Sequence, residues 1–174
     1  MLRKVAVTLN ARMTANNVAN APSVDVIVYA LSIIWNTTSI TVFSLILGWL
    51  TGELLRTFLF IIIFATIRFL TGGYHLKSGT FCIIVSTAAM SSLPHIHLDN
   101  HMLWVYGGTV FSLIMVLLFA PANYDKYARI SPKHYPILKV ISACIVASNF
   151  LFVSDLLAVA FTVQAVLLPF KERG

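Results

Sequence analysis

Two windows, "TVFSLILGWL" at residues 41–50 and "FLFIIIFATI" at 58–67, constrain this chain more than any other feature. A helix on the surface of a water-soluble domain carries charged or polar residues along its outer face, and these stretches have no such face. The rest of the chain agrees with them. Hydrophobic residues make up 59% of the 174 and charged residues 10%, whereas about a quarter of an ordinary soluble domain is charged. The mean hydropathy is +0.88. An all-α, polytopic integral membrane protein is the expected fold class, with residues 1–174 forming one membrane-embedded domain.

A membrane-crossing helix needs about 20 apolar residues. Six segments meet or approach that length: Val24 to Trp49, Leu54 to Leu70, Thr80 to Leu93, Leu103 to Ala120, Pro136 to Val153, and Asp155 to Phe170. The third is short for a full span and would have to tilt or thin the bilayer. Only a tight turn at Ser154-Asp155 separates the last two, so they form either a hairpin or one long broken helix.

Basic residues concentrate in cytoplasmic loops. With six spans and both termini inside a bacterial cell membrane, Arg3, Lys4, Arg12, Arg68, Lys77, Lys126, Arg129, Lys133, Lys139, Lys171 and Arg173 fall on or near the cytoplasmic side, and Arg56 falls outside. The formal charge of +6 then follows from topology and contact with anionic lipid. No nucleic-acid-binding motif is present. Residues 1–22 mix apolar side chains with Arg3, Lys4 and Arg12, a pattern for a short amphipathic interfacial helix ahead of a bundle over 23–170. That segment lacks the continuous apolar core of a signal peptide.

Cys82 and Cys144 are the only cysteines, so free thiols are expected rather than a disulfide framework. His95, His97 and His101 in "HIHLDNH" lack a defined fourth ligand, and no metal is assigned to them.

One polar interruption carries chemistry. In "RFLTGGYHLKSGTFC", residues 68–82, a histidine and a cysteine flank a turn between the second and third spans. Along a continuous helix His75 and Cys82 would be about 10 Å apart, too far for proton transfer. Gly72, Gly73 and Gly79 permit the chain to fold back. His75 could then accept the thiol proton, and the Cys82 thiolate could attack a peptide carbonyl to form a thioester. Lys77 and the first amides of the third helix would place positive potential around that thiolate. The same amides could hold the oxyanion. Each residue also has a structural reading. His75 can be an interfacial group, Cys82 a core residue, Arg68 a cation reaching for headgroups, Gly72 and Gly73 turn formers, and Tyr74 an interface anchor.

Arg68, Gly72-Gly73-Tyr74-His75 and Cys82, with "FAPANYDKYARISPKHYP" after the fourth span, resemble the accessory gene regulator B family. That family comprises membrane cysteine endopeptidases that process quorum-sensing peptide precursors. The resemblance implies His75 and Cys82 as the catalytic pair, with Arg68 and Gly73 at positions needed for activity. It further implies an amphipathic precursor peptide as substrate, cleavage of its C-terminal part, thiolactone or lactone cyclisation, a homodimer, and no cofactor. Where members often carry Glu or Gln in a first-helix pattern, this chain reads "YALS" with Ser32.

A transporter would need polar groups near the bilayer midplane. Ser32, Asn36, Asn149 and Gln164 are the candidates, all neutral and all accountable by packing between helices. A noncatalytic scaffold for a peptide-export system is the other alternative.

Overall fold

The computed structural model describes residues 2–16, 18, 21–73, 78–98, 102–122 and 131–170. Among them are eight α-helices: α1 (Leu2–Ala15), α2 (Val24–Leu50), α3 (Leu54–Thr71), α4 (Gly79–Ser92), α5 (Met102–Phe119), α6 (Tyr135–Ala147), α7 (Asn149–Phe152) and α8 (Asp155–Leu167). Turns of 3-10 helix, Leu93–His95 and Pro132–His134, extend α4 and precede α6. The all-helical fold follows from the apolar windows, because a helix satisfies its own backbone where no water is available.

Four helical segments are long and apolar enough to cross a membrane: Val24–Leu50, Leu54–Thr71, Met102–Phe119 and Pro132–Phe152. The expected third and sixth spans are shorter, 14 residues in α4 and 13 in α8. At 1.5 Å per residue each covers about 20 Å, less than the roughly 30 Å hydrocarbon core.

Specific contacts give the helix directions. Arg56 near the start of α3 meets Asp155 at the start of α8, and Gln164 near the end of α8 meets Thr71 at the end of α3. These two helices therefore run the same way. α6 runs against α5, because Lys139 Nζ donates to Leu117 O while Asn149, beyond the end of α6, donates to Thr109. The chain must then reverse between α7 and α8, which makes the last two expected segments a hairpin. Val153 takes a left-handed φ of 47° at the turn, and Asn149 Oδ1 accepts the Ser154 amide.

Although short, α8 is the most enclosed helix: Asp155, Leu156, Ala158, Ala160, Phe161, Gln164 and Ala165 are all buried. Its small residues let neighbours approach closely, as membrane helix interfaces require. A Cβ on Gly108 of α5 would lie 2.9 Å from Thr162 Oγ1. Two apolar clusters pack on α8. One joins Ile67, Val116, Ala120, Val146, Phe161 and Leu168, and the other joins Phe60, Met90, Leu156 and Ala160.

The end of the bundle carrying the α2–α3 turn is fastened by charge. Arg56 Nη2 lies 2.7 Å from Asp155 Oδ2, and the same guanidinium donates to the carbonyls of Pro94 and Ile96. Asp155 also accepts from the amides of Leu98 and Leu156. The one basic residue that sequence reading assigns to the outer side is thus neutralised by a partly buried partner.

α1 lies against the start of α2. Asn10 Nδ2 donates to Pro22 O, and Arg3 stands 3.8 Å from Asp25.

Candidate active site

α3 ends where its sequence changes from "FATIRFL" to "TGG". The Gly72 amide still closes a helical bond to Arg68 O, but Gly72 then adopts φ 69°, ψ −147°, and Gly73 φ 134°. Side chains rarely tolerate this left-handed half of backbone space, so two consecutive glycines are what permits the turn.

The turn is braced from two distant parts of the chain. Ala122, just beyond α5 in the Ala-Pro-Ala segment, accepts the Gly73 amide at 3.1 Å and donates its own amide to Thr71 O at 2.8 Å. This forms a short parallel bridge between Gly72 and Ala122. From α8, the Gln164 side-chain amide donates to Thr71 Oγ1 at 2.8 Å and to Gly72 O at 2.6 Å. Its oxygen accepts from Arg68 Nη1 at 3.2 Å. Gln164 is wholly buried. Arg68 also lies over the Phe64 ring, 5.9 Å from its centroid. The Arg68 guanidinium is thus turned onto α8.

A larger residue at Gly73 would be strained by its φ and would press on two side chains. A Cβ there would stand 3.1 Å from Arg68 Nη1 and 3.2 Å from Gln164 Nε2.

The expected site residues Tyr74, His75 and Lys77 lie outside the described residues. The chain is described again at Ser78, whose hydroxyl caps α4 by accepting the Phe81 amide, while Ser78 O accepts the amide of Cys82. Cys82 therefore sits at the end of the first turn of α4, half-buried, with Sγ 3.9 Å from Ser86 Oγ. The amides of Gly79 and Thr80 precede the first intrahelical bond and form the positive end of the helix dipole.

Gly79 packs against Asn36, to which a Cβ would come within 3.4 Å. Asn36 is the thirteenth residue of α2, about 18 Å along that helix. α4 thus starts beside the middle of α2, and α2 projects beyond it. Cys144, the other free thiol, is exposed on α6.

The structure brings Arg68, Gly72 and Gly73 into one hydrogen-bonded cluster and sets Cys82 in the opening turn of the next long helix. It adds residues that sequence reading had not placed at the site: Thr71, Ala122 and Gln164. Gln164 had a sequence signal in being a lone amide in an otherwise apolar helix, and Ala122 lies in the quoted Ala-Pro-Ala segment. Ser32 donates to Val28 O within its own helix, so its hydroxyl is satisfied locally.

An apolar helical bundle with a braced glycine turn and a cysteine-bearing helix start defines an all-helical membrane protein with a concentrated polar site near one end. Within that class, the chain belongs to the accessory gene regulator B family, whose model matches residues 3–169. It is also similar to an AgrB-like protein of Halalkalibacterium halodurans, with 26% identity over 168 residues, covering 97% of this chain and 84% of that protein. No solved structure matches it.

Proposed function

We propose that this protein is a membrane cysteine endopeptidase that cleaves the C-terminal part from a quorum-sensing peptide precursor through a Cys82 thioester. Family membership supports a role in quorum-sensing peptide processing in general. The observation that carries the finer reading is the break in helix between Thr71 and Gly79, with Cys82 in the first turn that follows. A continuous helix would hold His75 and Cys82 too far apart, and this break removes that constraint.

In the proposed reaction, His75 takes the proton from the Cys82 thiol, and the thiolate adds to the scissile carbonyl. The amides opening α4 face the developing oxyanion. Collapse of the tetrahedral intermediate breaks the C–N bond, and the leaving amine takes the proton back from His75. A cysteine or serine within the acylated precursor then attacks the thioester and closes a thiolactone or lactone ring. Exchanging one thioester for another costs little free energy, so the residues named are chemically sufficient. Arg68, Gly72, Gly73, Tyr74 and Lys77 shape the site or receive the acidic part of the peptide. Residues 1–174 act as one peptidase domain, as a homodimer, in contact with lipid. Both termini face the cytoplasm with the site end of the bundle, in keeping with the distribution of Lys and Arg.

The test is co-expression with an amphipathic candidate precursor bearing an internal Cys or Ser and an acidic tail. Cys82→Ala is expected to abolish cleavage and thioester, and Cys144→Ala to leave both intact. His75→Gln is expected to bind precursor but acylate about 10² to 10⁴ times more slowly, the usual effect of losing a general base. Equal cleavage by wild type and Cys82→Ala would show instead a scaffold serving another protease.

A further inference from the structure

Buried amides in membrane helices commonly serve packing, yet the partners of Gln164 are unusual for that role. All three of its described hydrogen bonds go to one short segment, Arg68 to Gly72, at the point where α3 gives way to the turn. None goes to another helix backbone. The orientation of the amide is dictated by chemistry. A guanidinium can only donate, so Oε1 must face Arg68, and a carbonyl can only accept, so Nε2 must face Gly72 O. Thr71 Oγ1 completes the set, since it donates to Ile67 O and is left to accept from Nε2.

The single peptide unit that joins Gly72 to Gly73 is therefore held at both of its polar groups. Gly72 O is fixed by Gln164 on α8, and Gly73 N–H is fixed by Ala122 O beyond α5. Gly72 and Gly73 have the widest conformational freedom of any residue type, so the turn gets its direction from these external contacts and not from its own sequence. His75 follows two residues later.

We infer that Gln164 is a positioning residue for the reaction: through Gly72 O it holds the peptide from which the chain continues to His75, and through Oε1 it sets the guanidinium of Arg68. This rests on the His75–Cys82 reading above. Displacement of a catalytic group by about 1 Å can cost about 10²-fold in rate, so a distant amide can matter without touching substrate.

The test needs no precursor. In a Cys144→Ala background, reconstituted in lipid, the rate of Cys82 alkylation by iodoacetamide at neutral pH reports how readily the thiolate forms beside its base. Gln164→Met keeps length and packing but removes every hydrogen bond. Gln164→Glu keeps an acceptor for Arg68 but removes the donor to Gly72 O. Both are expected to slow alkylation about tenfold at a temperature where each variant is folded, the lost buried hydrogen bonds lowering the thermal unfolding midpoint as well.

His75→Gln is expected to slow alkylation at least as much. Combining it with Gln164→Met should add no further loss, because a residue acting through His75 has nothing left to position. Normal alkylation in both Gln164 variants, or a loss that multiplies with that of His75→Gln, overturns the inference while leaving the dyad standing. Normal alkylation in His75→Gln overturns the dyad itself, and the positioning role with it.

Discussion

Gly73 shows how one absent side chain can bind several constraints together. Its φ of 134° excludes most residues, and its missing Cβ is the space into which Arg68 and Gln164 converge. Gly73→Ala meets both obstacles at once and is expected to cost about 1–3 kcal/mol, the range for a residue forced into a sparsely populated backbone region. It should also abolish thioester formation. Gly107 in α5 supplies the contrast, with nothing within 4 Å of its would-be Cβ and ordinary helical backbone. Gly107→Ala is expected to leave thioester formation unchanged and raise stability by up to about 1 kcal/mol. Thermal unfolding in lipid together with acyl-enzyme trapping checks both.

Among the elements, α8 does two jobs at its two ends. Its first residue, Asp155, closes the charged clamp with Arg56, and its last buried polar residue, Gln164, braces the glycine turn. Asp155→Asn leaves a partly buried guanidinium without its countercharge and is expected to cost about 3 kcal/mol, at the low end for breaking such a pair. Because this clamp lies at the far end of the bundle from Cys82, alkylation of Cys82 at a temperature where the variant is folded should keep its normal rate. A large rate loss there would mean that the two ends of α8 are coupled.

The helices themselves were legible in the sequence. A window such as "FLFIIIFATI" announces a membrane helix by composition alone, and Gly72-Gly73 announces the end of α3. The bracing of that end was not legible. Gln164 and Gly72 are 92 residues apart in sequence, and no periodicity links them. The Ala-Pro-Ala segment could be noted as familiar, but its pairing with Thr71 and Gly73 comes from the packing of both α3 and α5 on α8. Gln164 read as a packing residue because hydropathy registers how polar a side chain is, not where its bonds point.

At the scale of the whole molecule, the described helices α2, α3, α4, α5, α6 and α8 alternate in direction. The α3–α4 turn, the end of α5 and the end of α8 share one end, and Arg56, Asp155 and Leu98 share the other. Reporter tags at Met1, between Lys126 and Lys133, and at Gly174 are expected on the cytoplasmic side, and one near Asp99 outside. A tag at Gly174 that reports from outside would contradict the α7–α8 hairpin as a membrane-level reversal.

The position of Gln164 also has a consequence for biosynthesis. A ribosome makes His75 and Cys82 well before the amide that holds Gly72 O, which comes 92 residues after that glycine. While the earlier helices enter the bilayer, Thr71 and Gly72 lack that partner. Gly72 O and Thr71 Oγ1 acquire their Gln164 partner only when α8 packs beside α3 and α5. A nascent chain arrested before α8 would contain both His75 and Cys82 and still lack the partner that holds Gly72 O.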